Sequence, residues 1–210
     1  MAGTSEKRDY KKLLKPLYHG SATKLATLEV PTLHYLMVGG QGAPGCETHQ
    51  QAIEALFSVA YAIKFLVKRG ELGIDYGVLP LEGLWWADEM ADFVNGNRDN
   101  WRWTMMIMQP DLVDESLVEQ AMAQVRAKKA LPALPLVRYA PYSEGLCAQT
   151  LHVGPFAEEG PTVARLHAYI EQQGSQLRGK HHEIYLSDFR RTAPERLKTL
   201  IRQPMVPPQR

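Results

Sequence analysis

The chain has 210 residues, 24 Lys and Arg against 23 Asp and Glu for a formal net charge of +1, and 45% hydrophobic residues. That length suits one compact domain or two small fused modules, and the apolar share supports a packed core, which excludes a disordered chain. The near-neutral balance excludes a protein whose main work is neutralising phosphates, because such domains carry a basic surplus.

Residues 1–30 read as an N-terminal polar tail, with Lys7, Arg8, Lys11, Lys12 and Lys15 as a solvated basic cluster. The opening residues have no apolar segment of the signal-peptide kind. The domain proper is expected over 31–210. Thr32 to Gly40 is rich in β-branched and aromatic residues and ends in glycines, which predicts a strand. From about Glu47 to Arg69, Ile53, Leu56, Val59, Ala60, Ile63, Leu66 and Val67 recur at helical spacing, and Gly70 stops the pattern. Glu54 and Lys64 interrupt its apolar stretch, so it is not a membrane span. Two strand-like runs follow, Tyr76 to Trp86 and Trp101 to Gln109, with a turn at Asn95-Gly96-Asn97 between them.

A second helix is expected from Pro110 to about Lys129, and prolines from Ala130 to Pro135 disfavour its continuation. The order then repeats. Cys147 to Val153 reads as a strand and Gly160 to Gln173 as a helix closed by Gly174. His181 to Ser187 is another strand, and Thr192-Ala-Pro-Glu195 has the spacing of a capping box opening a last helix. The organisation is α+β: two tandem βαββ modules, about 31–110 and about 136–206, joined by a linker helix over 111–135. Two cysteines, Cys46 and Cys147, are too few for a disulfide scaffold; free thiols and a cytoplasmic location are expected.

Gly40-Gln-Gly42-Ala-Pro-Gly45 spells G-x-G-x-x-G between a strand and a helix. A dinucleotide site needs bare amides facing a pyrophosphate in a parallel βαβ unit, with an acid about 20 residues on. Pro44 removes one amide, and Asp75 and Glu82 lie too far along, so a simple turn is expected and no nucleotide or other cofactor. His181 and His182 are adjacent on a strand and point to opposite faces. Neither they nor His152 and His167 have metal-ligand spacing, and no metal is expected. A G-x-S-x-G elbow is missing, and Cys147 among apolar strand neighbours is expected to be inert.

The aromatic residues cluster near predicted strand ends: Trp85 and Trp86, Trp101 and Trp103, Tyr139 and Tyr142. Alternation puts His181, Glu183 and Tyr185 on one face, with His182, Ile184 and Leu186 on the other. If a helix covers Ile184 and Leu186, the open face presents a carboxylate between two aromatic residues. On spacing alone, core packing explains the tryptophans, and a solvated strand explains Glu183, as well as a ligand pocket does. In such a pocket, aromatic faces take flat or cationic ligands, and the carboxylate pairs with a cation or acts as a base toward water.

Three stretches carry a resemblance: Leu79-Pro-Leu-Glu82-Gly-Leu-Trp85-Trp86; Tyr142-Ser-Glu-Gly-Leu-Cys147-Ala-Gln149 leading to His152-Val-Gly-Pro155; and His181-His182-Glu183-Ile-Tyr185-Leu-Ser-Asp188. With Arg190-Arg191-Thr-Ala-Pro-Glu, the sequence resembles the GyrI-like small-molecule-binding family over nearly all of Leu33 to Met205. Phe189 departs from the proline expected after Ser-Asp. The resemblance implies two βαββ modules with pseudo-two-fold symmetry, whose antiparallel sheets form a central ligand groove with helices on the opposite face. It implies binding of hydrophobic, planar or cationic xenobiotics around Glu183, with Trp85, Trp86 and Tyr142 as an aromatic cage, Tyr185 bonding the carboxylate or ligand, and Trp103 a further ligand contact.

Some relatives of this bacterial type are hydrolases that open cyclopropane rings of DNA-alkylating compounds, which would make Glu183 the water-activating residue. Others are effector sensors of multidrug-responsive transcription regulators. This chain shows no helix-turn-helix, so a sensor role would be that of a regulatory partner without its own DNA contact. The expected partner is a small ligand, with no nucleic acid and no membrane, and the protein a monomer or homodimer.

Overall fold

The computed structural model describes residues 6–88 and 96–207; Asn95 of the expected turn lies outside them. The fold is α+β on antiparallel sheet, and the chain divides into two compact units. The first comprises Met1–Leu14, Leu33–Leu79 and Ala87–Tyr142; the second comprises Lys15–Thr32, Pro80–Trp86 and Ser143–Arg210.

Within the first unit, β3 (Leu33–Gln41) is flanked by β6 (Arg102–Gln109) and β7 (Arg138–Tyr142), both antiparallel to it. The long helix α3 (Glu47–Arg69) packs on β3 and β6. Leu56, Val59, Ala60, Ile63 and Val67 of the anticipated stripe are buried, joined by Ala52 and Ala55, while Ile53 and Leu66 are half-buried. Helix α4 (Glu115–Lys128) lies on α3, and its first turn is capped by Asp114, whose carboxylate accepts from the Leu117 amide. The short β1 (Glu6–Arg8) runs parallel to β4 (Ile74–Tyr76), and α1 (Tyr10–Leu13) follows β1.

The second unit is built on β2 (Ala26–Val30), β8 (Gly145–Val153), β10 (Lys198–Pro204), β9 (His181–Tyr185) and β5 (Leu81–Trp86), in that order and all antiparallel. Helix α5 (Gly160–Gln172) sets Leu166 and Ile170 on Ala148, Ile201 and Met205 in one apolar cluster. Short helix α2 (Lys15–Tyr18) is held from below: Gln149 Nε2 donates to the Pro16 and His19 carbonyls, and Arg202 Nη2 to that of Leu17.

Three expectations change. Residues 6–30 are built into the fold as β1, α1, α2 and β2 rather than forming a tail. The single run Tyr76 to Trp86 is two strands, interrupted at 77–80 by Gly77 and Pro80. Thr192–Glu195 does not open a helix: Pro194–Arg196 makes one 3-10 turn, and the chain continues as β10. This strand is paired on both edges and buried on both faces, so its apolar pattern loses the period-2 alternation that marks a half-buried strand.

Beneath α2 lies a buried polar network. His182 Nδ1 is 2.9 Å from Glu144 Oε1 and its Nε2 is 2.9 Å from Glu82 Oε2, with the histidine fully buried. Tyr18 donates to Glu82 Oε1 at 2.8 Å, and Arg202 donates to Glu144 Oε2 at 3.1 Å and to Gln149 Oε1 at 3.2 Å. Arg178 also donates, to the Glu144 carbonyl. Burial alone would lower the His182 pKa, but the two carboxylates outweigh it and push it up to about 9, which fixes the ring as imidazolium. Burial would raise that of Glu144, but His182 and Arg202 hold it down at about 2.

The sign of the pH dependence follows. The His182 contribution is complete below its unfolded value of ~6.5 and is lost as pH rises through about 9. The Glu144 contribution is complete above an unfolded value of ~4.3 and is lost as pH falls toward about 2. Urea melts are expected to give greatest stability between those unfolded values. His182→Gln, which leaves two buried carboxylates without their cation, is expected to cost ~3–5 kcal/mol and to remove this alkaline limb. A variant of wild-type stability at every pH would refute the network's role.

Candidate functional site

Residues paired directly across antiparallel strands point to the same side of the sheet. Glu183 stands opposite Gly83 on β5 and Ile201 on β10, and Tyr185 opposite Leu81 and Thr199. Trp85 stands opposite His181. One face of the second unit therefore carries His181, Glu183, Tyr185, Trp85, Ile201 and Thr199. The other carries His182, Ile184, Glu82, Leu84 and Arg202. The spacing argument placed a helix over the Ile184 side, and short α2 is there. The longer α5, packed on Ile201, shares the Glu183 side and brings Glu159 and His167 to it.

The Glu183 carboxylate is held at both oxygens. His181 Nε2 is 3.1 Å from Oε1, and the Tyr185 hydroxyl donates to Oε2 at 2.7 Å. The same hydroxyl accepts from Trp85 Nε1 at 3.1 Å, so indole and phenol donate in series to the carboxylate. Burial raises the Glu183 pKa, but the His181 hydrogen bond and charge, and the hydrogen bonds of Tyr185 and Glu159, outweigh it and leave it lowered. Burial, then the Glu183 charge, raises the Tyr185 phenol well above its ordinary value, so it stays a donor. The Glu183 side chain keeps 16% of its surface accessible. Gly83, opposite it on β5, is itself buried, as are Leu81 and Trp85 on the same face.

Two residues that sequence reasoning did not select extend this aromatic wall. Phe156 meets the Tyr185 ring edge-on at 5.7 Å and Phe189 at 6.4 Å, and both remain exposed. Phe189 is the position that departs from the family pattern, and that departure was the signal available. Glu159, also missed, sits ahead of α5 in a helix-start position that looks like ordinary capping.

The six residues selected from sequence separate. Glu183, Tyr185 and Trp85 come together. Trp86 alternates to the other face of β5, where Lys180 Nζ lies 3.4 Å from its ring centre. Trp103 and Tyr142 belong to the first unit. There Trp103 is buried edge-on to His49 at 5.2 Å, and Tyr142 meets Tyr35 at 6.3 Å. The glycine turn serves Trp103: a Cβ on Gly40 would stand 2.3 Å from its ring, and Gly42 and Gly45 have φ of 115° and 84°. Both neighbours of β3 are antiparallel, so the parallel βαβ unit that a dinucleotide fingerprint requires is not formed.

Burial raises the Cys147 thiol to about 12, as expected of an inert cysteine. Among the described residues, no group of three or more His, Cys, Asp or Glu is arranged to hold a metal ion, and no helix is long and apolar enough to cross a membrane. An open cleft of about 530 Å³ in the first unit, lined by His34, Asp111, Asp114, Glu115 and Tyr139, is occupied with local structure: Asp114 caps α4 and Tyr139 stacks on His34.

Residues 26–205 match the GyrI-like small molecule binding domain, and the chain belongs to that family. It is 40% identical to an uncharacterized conserved protein from Listeria innocua whose crystal structure superposes with a TM-score of 0.87, covering 94% of this chain and 99% of that one. It is 39% identical to a hydrolase from Listeria innocua, with a TM-score of 0.82 over 94% of this chain and 99% of that chain. The C-terminal domain of EcmrR, at 12% identity and a TM-score of 0.57 over 87% of this chain and 97% of that one, shares the fold. Among curated proteins none matches.

Removing the Tyr185 hydroxyl should raise the Glu183 pKa, because that hydrogen bond favours the ionised form. Carbon-13 NMR titration of the carboxyl groups in Tyr185→Phe against wild type measures it. An unmoved Glu183 titration would show that the contact does not hold the charge.

Proposed function

We propose that this protein binds flat, hydrophobic or cationic xenobiotic molecules on the Glu183 face of the second unit. The observation that carries the reading is a carboxylate held at both oxygens by His181 and Tyr185, on a side chain 16% accessible, with the exposed Phe156 ring against Tyr185. A planar cation reaching Glu183 would gain Coulomb attraction to it and stacking against the exposed Phe156 and Phe189 rings. A cation contact to an aromatic face is worth ~0.5–2 kcal/mol. The exposed Phe156 and Phe189 give the hydrophobic part of a larger ligand somewhere to lie. The two free thiols, Cys46 and Cys147, suit a reducing, cytoplasmic setting.

A second reading, hydrolysis, is favoured by the Listeria hydrolase at 39% identity. On it, Glu183 takes a proton from water, and the hydroxide adds to a strained ring carbon. The broken carbon–carbon bond leaves its electron pair on the departing framework, which is then protonated. Carboxylate and aromatic wall are the same in both readings.

Fluorescence titration with rhodamine 6G is expected to show micromolar binding that weakens about tenfold in Glu183→Gln, the loss of ~1.4 kcal/mol for one charge-assisted contact. Equal affinity in the variant would remove Glu183 from the site. With a cyclopropane-containing electrophile, turnover by wild type and none by Glu183→Gln would establish the hydrolase. Unchanged turnover in the variant would exclude Glu183 as its base.

A further inference from the structure

Glu159 is 7% exposed, and its Oε1 is a fully buried oxygen with no hydrogen-bond partner. Its neighbours are the Glu183 carboxylate and Thr199. Two neighbouring carboxylates repel, and neither can donate to the other unless one holds a proton. A neutral acid at Glu159 removes the repulsion and supplies the missing donor in one step. Elsewhere the surroundings are fixed: His181 and Tyr185 hold the two Glu183 oxygens, and burial and the nearby His181 lower the pKa of His167 on α5.

We infer that Glu159 and Glu183 share a single proton, and that a cation binding against Glu183 discharges that proton to water, so that ligand uptake is proton-coupled. This rests on the proposed binding reading for its second half only; the shared proton itself belongs to the empty site. In support, burial and then the charge of Glu183 raise the Glu159 pKa to about 9, against the opposing effect of the Thr199 hydroxyl, while Glu183 is lowered. The opposite displacement of two adjacent acids is the signature of one proton held between them. The balance is simple: one positive charge arrives, one proton leaves, and the pair ends with both groups ionised around the ligand.

Two experiments separate the halves. Infrared spectroscopy of the ligand-free protein at neutral pH is expected to show a protonated-carboxyl band that Glu159→Gln abolishes. Absence of that band in wild type overturns the shared proton. Rhodamine 6G titrations from pH 6 to 8 are expected to give affinity rising about tenfold per pH unit in wild type, the slope for one proton released. Calorimetry in two buffers of different ionisation enthalpy should count the same proton, and needs no variant. Glu159→Gln is expected to bind with a flat profile, and His181→Gln to keep the slope. A flat wild-type profile, or a slope abolished by His181→Gln and kept in Glu159→Gln, overturns the coupling. If no protein binds the dye at any pH, the binding reading fails and the coupling with it, while the infrared band still decides the proton.

Discussion

The second unit depends on an imidazolium trapped between two carboxylates. His182 is fully buried, and isolated charges do not persist in such places. It persists because Glu82, Glu144, Arg202 and Tyr18 satisfy one another from four separate stretches of the sequence. The network ties β5, β9 and β10 to the loop ahead of β8, and through the Leu17 carbonyl it fixes α2. Replacing such a network by apolar residues can be neutral, whereas removing one member is costly. Its effect is therefore specificity of arrangement: only one register of β9 against β5 and β10 puts His182 between its carboxylates.

That register also makes the site. With His182 committed to one side, alternation commits His181, Glu183 and Tyr185 to the other, opposite Gly83 and Trp85. A one-residue slip would bury Glu183 in the place of the histidine and turn the network toward α5. The Glu183 carboxylate thus owes its orientation to groups on the far face of the sheet.

Much of this was legible in the sequence. The long amphipathic α3 followed from its period, and the two-sided character of β9 from the bare alternation of His-His-Glu-Ile-Tyr. What was not legible depended on distance in sequence or on burial on both faces. Glu82 and Glu144 look like surface acids until the fold brings each to 2.9 Å from His182. β7 contains Pro141 and pairs with β3 on one side, which blunts a strand signal. The tryptophans were the least separable. Trp85 and Trp86 are adjacent, yet one hydrogen-bonds toward Glu183 and the other takes Lys180 on its ring; only the phase of β5 distinguishes them.

The strict alternation along β5 and β9 has a consequence for how such a protein can change its chemistry. Odd-numbered positions 181, 183 and 185, with 81, 83 and 85, share the face that carries Glu183; even-numbered 182 and 184, with 82 and 84, share the face of the His182 network. Change at the half-buried positions 181, 183 and 185 can therefore proceed on every second codon of one short segment while sparing the buried histidine network. A randomised library confined to those three positions would vary one face in a folded population, whereas one spread over consecutive residues would consist largely of collapsed chains.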